Sequence, residues 1–264
     1  MKLSHTLTAP SAVFDDPNLV SAAGLVPVLA LADRAGLRRP AAEHLSVSTD
    51  KGAPAGLKGA SPVAGVVAGA DSIDDMALLR HGGMGRVFAR AYAPSTLGSF
   101  LRAFTFGHVR QLDAVASRFL TNLAAQGGQA APGLGDGSGG RVLVDVDDTI
   151  IEVHGHAKQG AGFGYSGVRG LNALLATVTT TGSAPVVVAQ RLRKGSCGSP
   201  RGAKRLVADA LKTVRTLHPA DVRPLLRADS AFYGAPTVGA AVRAGAQVSV
   251  TVRLDPKVKA AIAT

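Results

Sequence analysis

The run Val144-Asp145-Val146-Asp147-Asp148-Thr149 holds three carboxylates within six residues, inside an otherwise apolar segment. On a β-strand alternate residues share a face, so Asp145, Asp147 and Thr149 point one way and Val142, Val144 and Val146 the other. Two carboxylates on one face repel each other. A cation or a bound proton offsets that repulsion, and hard divalent ions such as magnesium take oxygen ligands. Asp145 and Asp147 are therefore candidate metal ligands; the plain alternative is a strand end whose acids are solvated. A second candidate is Asp229, in Arg227-Ala228-Asp229-Ser230, just after the apolar run Pro224-Leu225-Leu226. At the carboxyl end of a strand in an open α/β sheet it can reach an ion held by a neighbouring strand. An isolated aspartate at such a place is also an ordinary helix cap or turn former.

These acids need a scaffold, and the patterning after residue 141 supplies one. Strand patterns run from Val142 to Val153, Leu171 to Thr181 and Ala184 to Leu192, with a turn signal at Thr181-Gly182-Ser183. Arg201 to Leu217 has the spacing of an amphipathic helix. A strand from Pro224 to Asp229, a helix from Ala235 to Ala244 and a strand from Gln247 to Arg253 follow. The short connections predict an antiparallel meander first, and the whole order is that of a ribonuclease-H-like α/β domain.

Upstream the pattern is helical. Leu25 to Ala32 predicts a buried helix with Pro27 in its first turn. Asp71 to Arg80 predicts a capped amphipathic helix ended by Gly82-Gly83. Ser95 is placed to cap a helix with Leu97, Phe100, Leu101 and Phe104 on one face, and Val109 to Leu123 completes a small bundle. The stretch GGQAAPGLGDGSGG (127–140) reads as a flexible linker. The expected organisation is thus a helical part over 1–126, a linker over 127–140, and an α/β domain over 141–264.

The acid-bearing segments together resemble the DDE family of insertion-sequence transposases, in its group 1 branch. VDVDDTIIEVHGHAKQGAGFGYSGVRGLNALLATVTTTG resembles that family's first catalytic strand, variable turn and second strand, and RADSAFYG the segment carrying the second acid. YAPSTLGSFLRAFTFGHVRQL is similar to the helical region that precedes the catalytic domain. The resemblance runs from about Phe14 onward. It implies a ribonuclease-H-like fold and a DNA transposase that cleaves and joins strands at element ends. Asp147 with Thr149 falls on the family's Asp-x-Thr pattern, Asp229 on its second acid, and Asp145 is an alternative first acid. Two divalent ions, Mg2+ or Mn2+, are implied. So are double-stranded partners (terminal inverted repeats and target DNA), a homodimer on paired ends, and a bacterial, nucleoid-associated location.

The family also calls for a third acid, a glutamate on a later helix. The only glutamates are Glu43 and Glu152, and the only acid after Asp229 is Asp255. The expectation is a transposase interrupted inside a helix that starts after Pro256, and inactive alone.

Two rival readings stand beside this one. Asp145-Val146-Asp147-Asp148-Thr149 also matches the Asp-x-Asp-x-Thr motif of haloacid-dehalogenase-type phosphatases, with Asp145 as nucleophile and Asp147 as general acid. The magnesium-binding segment those enzymes need is missing around Asp229. The other rival is a DNA-binding remnant without catalysis, using Arg102 and Arg110 of the helical part.

The charge balance agrees with a polyanionic partner. Lys and Arg outnumber Asp and Glu by 29 to 18, a net charge of +11 in 264 residues. Arg191, Arg193, Lys194, Arg201, Lys204 and Arg205 form a basic stretch suited to gripping phosphates, or simply a solvated face. The single cysteine, Cys197, excludes an internal disulfide and fits a reducing, cytoplasmic setting. His154-Gly155-His156 has no third partner for a metal. The glycines from Gly160 to Gly170 predict a mobile turn, not a phosphate loop, because no Lys-Ser or Lys-Thr pair follows them.

Overall fold

The computed structural model describes residues 15–48, 55–88, 90–126, 140–155 and 158–263. They fall into two compact units, Met1–Gln111 and Leu112–Thr264. The division lies inside a helix, whereas residues 127–139 of the Gly-rich stretch are outside the described set.

In the first unit the described elements are helical: α1 (Leu25–Arg34), α2 (Arg38–His44), α3 (Ala55–Val67), 3-10 turns at Asp74–Leu79 and Gly82–Arg86, α4 (Pro94–Arg102) and the start of α5 (Phe106–Ala125). α1 is apolar all round but buries only Leu25 and Ala32, while Val26 and Val28 face solvent. The helix expected over 71–80 is a 3-10 helix instead. Ser72 donates through its backbone N (3.0 Å) and Oγ (2.6 Å) to Asp75, and Met76 N bonds to Ile73 O at 3.2 Å, so the backbone winds to the tighter i to i+3 spacing. The same Ser72 bond holds the Asp75 carboxyl below its ordinary range. Ser95 does not cap α4: Pro94 is already inside the first turn and Ala93 is the cap residue, its carbonyl accepting from Leu97 N at 3.1 Å. Phe104 lies beyond the helix end.

α2 and α3 have no counterpart in the sequence reading. α3 contains Pro62 and several glycines, which argue against a helix locally. Packing overrides them: a Cβ on Gly56 would lie 2.8 Å from Arg38 O, so the glycine lets α3 seat closely against α2.

The second unit is built on one mixed sheet. β1 (Leu143–Glu152), β3 (Arg169–Thr180) and β4 (Ser183–Lys194) form the expected antiparallel meander, with the two-residue β2 (Gly162–Phe163) also pairing with β3. α6 (Ala203–Leu217) then returns the chain so that β5 (Leu225–Ala228) pairs parallel to β1, and α7 (Ala235–Arg243) places β6 (Gln247–Val250) parallel to β5. The strand order is β4-β3-β1-β5-β6. α8 (Pro256–Ile262) closes the described chain. This mixed sheet with flanking helices is consistent with the expected ribonuclease-H-like arrangement.

The core lies on one face of that sheet. Val142 just before β1, Val144 and Val146 of β1, Leu174, Ala176 and Val178 of β3, and Leu226 of β5 pack with Leu206, Val207, Ala210, Leu211 and Val214 of α6. Leu120 of α5 and Ala240 and Ala241 of α7 join the same cluster. The period-2 pattern of β1 and the helical period of α6 are therefore two halves of one hydrophobic surface.

The glycine-rich turn after β1 is built, not loose. Gly195 N donates to Gly160 O at 3.0 Å, and a Cβ at Gly195 would overlap the carbonyl oxygens of Gly170 and Gly162. Gly195→Ala forces the backbones of β2, β3 and the end of β4 apart. A loss of about 1–3 kcal/mol is expected, read as a lower urea midpoint.

Candidate active site

β1 and β5 run parallel, and their last paired residues are Val146 and Ala228. One step further along each strand direction stand Asp147 and Asp229. Neighbouring strands are about 4.8 Å apart, so the two acids sit side by side, Asp229 just past the carboxyl end of β5 and Asp147 within β1, beyond its pairing with β5. Two separate sequence segments, 82 residues apart, are brought together by the α6 crossover.

Each of these carboxylates is oriented by a backbone amide. Asp147 Oδ1 accepts from Asp148 N at 2.8 Å, and Asp229 Oδ1 accepts from Ala231 N at 2.9 Å. Asp229 is thus the cap of the 3-10 turn Ser230–Phe232 as well as a site residue; the two readings of it are compatible. The Oδ2 atom of each has no protein donor among the described residues.

Asp145 is placed differently. It lies opposite Arg227 in the parallel register and forms a two-pronged pair with it, Nε to Oδ1 at 2.6 Å and Nη2 to Oδ2 at 2.8 Å. Hydrogen bonding and charge from Asp145 raise the Arg227 pKa above its ordinary value. The repulsion between the two acids of this strand face is therefore offset on Asp145 by a guanidinium. Arg227 had been quoted in the sequence motif without a role; its place opposite Asp145 follows only from the β1–β5 register.

The donor set at Asp147 and Asp229 fits a magnesium-type ion, which keeps most of its waters and takes one or two carboxylates from the protein. No group of three or more His, Cys, Asp or Glu able to hold a metal occurs among the described residues. Asp255 is committed elsewhere, capping α8 by accepting from Val258 N at 2.9 Å. His154 is exposed, and its neighbour His156 lies outside the described residues.

Directly behind the site is a polar network that the sequence reading missed. Asp148 points to the valine face, where its carboxylate accepts from Asn172 Nδ2 and from Arg193 Nη2, the latter at 3.2 Å. Arg193 Nε also donates to Asn172 Oδ1 at 2.9 Å, and Nη1 to Ser199 O at 3.0 Å. The Arg193 and Asp148 side chains are only 10% and 14% exposed. Strand alternation was the available signal: Asp148 falls in line with Val144 and Val146, an inward acid that demands a partner.

The candidate DNA-contacting residues separate into two sets. Arg191 is held by Asp113 (3.1 Å) and by Asp209, and Arg193 by the network above, so both guanidiniums are occupied inside the unit. Lys194 at the end of β4 and Lys204 in the first turn of α6 are exposed. Arg102, in the last turn of α4, is exposed with a 3.2 Å bond to Ser99 Oγ, and Arg110 lies half-buried on α5. No described helix is long and apolar enough to cross a membrane.

A family model described as Transposase DDE domain group 1 matches residues 10–264. Comparison with curated proteins and with solved structures gives no match.

Proposed function

The chain belongs to the transposase DDE domain group 1 family, and we propose from this that it acts on double-stranded DNA at the ends of a mobile element, by divalent-metal-dependent strand cleavage and transfer. The observation that carries the reading is the side-by-side placement of Asp147 and Asp229 beyond the paired ends of β1 and β5. These two acids would hold the metal. When bound, Mg2+ or Mn2+ supplies activation of water or a 3′ hydroxyl and stabilisation of the leaving oxygen at the scissile phosphate. Asp147 and Asp229 are aimed by their backbone amides, each with its second oxygen bonded to no protein donor among the described residues.

Lys194 and Lys204 are exposed basic residues of the second unit available to meet phosphates, with Arg102 and Arg110 serving the helical part. Arg191 and Arg193 are not proposed as DNA contacts, because their charges are already neutralised internally. Two copies on paired ends are the working form.

The experiment is Mn2+ binding by the purified chain, followed by electron paramagnetic resonance, alongside a duplex-nicking assay. Asp147→Asn and Asp229→Asn are each expected to weaken Mn2+ binding at least tenfold and to abolish metal-dependent nicking. Wild-type affinity in both variants would remove the metal site.

The phosphatase reading is not favoured: it needs a free nucleophile at Asp145, where the carboxylate is clamped by Arg227. A DNA-binding role without catalysis would rest on the exposed Arg102 of the helical part. Footprint protection of terminal repeats without strand cleavage is its signature.

A further inference from the structure

Alternate residues place Asp145, Asp147 and Thr149 of β1 on one face of the sheet, with Arg227 of β5 opposite Asp145 and Ser249 of β6 opposite Arg227. Arg227 is the single basic residue of these three strands. It lies two residues before Asp229 on the same side, roughly 7 Å along the strand.

We propose that Arg227 grips a phosphate of the DNA entering at Asp147 and Asp229, and that Asp145 is its positioning residue and not a metal ligand. The inference rests on the transposase reading above. A guanidinium carries five N–H donors. Asp145 takes one from Nε and one from Nη2, and Nη1 donates to no protein acceptor among the described residues. The donors left over suit a phosphodiester oxygen, which accepts charge-assisted bonds from this fork more tightly than from an ammonium.

Electrostatics gives the arrangement a purpose. A polyanion approaching two bare carboxylates is repelled, and a cation on the same face offsets the repulsion. Arg227 sits on a strand and is held at two points, so little side-chain freedom remains to be lost on binding. The pair is half-exposed, with side chains 47% and 34% accessible. An exposed ion pair of this kind adds little to folding, so stability does not account for the geometry.

The test measures binding of the full chain to a fluorescent duplex oligonucleotide over a salt series, together with Mn2+ affinity. R227Q is expected to reduce the slope of log K against log salt by about one, the signature of one lost phosphate contact. R227K keeps the slope and binds several-fold more weakly, because the charge survives without the fork. D145N weakens DNA binding in the wild-type background and has no further effect beside R227Q, while leaving Mn2+ affinity unchanged. All variants should unfold near the wild-type midpoint; if R227Q does not fold, R227K decides, and wild-type affinity in R227K overturns the clamp. An unchanged slope and affinity in R227Q overturns it as well. A loss of Mn2+ affinity in D145N matching that of D147N returns Asp145 to the metal site. A wild-type chain that binds no duplex overturns the transposase reading and the clamp together, so the two failures are distinguishable.

Discussion

Arg193→Met is expected to lower the stability of the second unit by about 3–5 kcal/mol, the cost of removing one partner of a buried ion pair. Arg193 bridges the Asp148 carboxylate, the Asn172 side chain and carbonyls of the turn after β4. Removing it leaves Asp148 charged, only 14% exposed, and bonded to a single neutral amide. It also releases the 198–201 turn from which α6 starts. Urea unfolding followed by far-UV circular dichroism reads the loss as a lower midpoint with little change in slope. The paired change Asp148→Leu with Arg193→Met is expected to recover much of it, since a buried pair replaced by apolar residues is often neutral. A single-variant midpoint at the wild-type value would mean that water already solvates the network. Because Asp148 adjoins Asp147, the single variant should weaken Mn2+ binding as well, by loosening the strand that aims Asp147.

Leu211→Ala is the second large effect, at about 2–5 kcal/mol. Leu211 is 1% exposed at the middle of α6, within the cluster formed by the β1, β3 and β5 side chains. Truncation removes transfer free energy and leaves a cavity between helix and sheet that the paired strands cannot collapse to fill. Because α6 is the crossover that brings β5 beside β1, the same substitution tests whether the site depends on this packing: Mn2+ affinity should fall with stability. A stability loss under 1 kcal/mol would place Leu211 outside the core.

The second unit was legible because its elements obey local rules. The alternation of β1, the helical period of α6 and the turn at Thr181-Gly182-Ser183 all lie in short windows, and the strands and helices follow them closely. The first unit was read less well. α3 contains Pro62 and close-packed Gly56, and its helix follows from contact with α2, which no local window contains. The 3-10 turn at Asp74–Leu79 depends on the Ser72–Asp75 bonds tightening a pattern that by periodicity alone reads as an α-helix. β2 was missed because glycine-rich sequence carries no strand propensity, and Gly195 packs against it from the far end of β4.

For the site itself, the sequence alone determined that Asp145 and Asp147 lie on one face of a strand, and that Asp229 stands at the end of another. That much follows from the two-residue period of a strand. It left Asp145 and Asp147 equivalent, since both satisfy the same period. The parallel pairing of β5 with β1 separates them: the register sets Arg227 against Asp145 and leaves Asp147 beside Asp229. The basic stretch divided for the same reason, Arg191 and Arg193 turning to acids on α5, α6 and β1 while Lys194 and Lys204 stay outside. Residue type and period are local properties of the chain; which charge meets which partner is set by strand register and helix crossover, and only the tertiary structure supplies those.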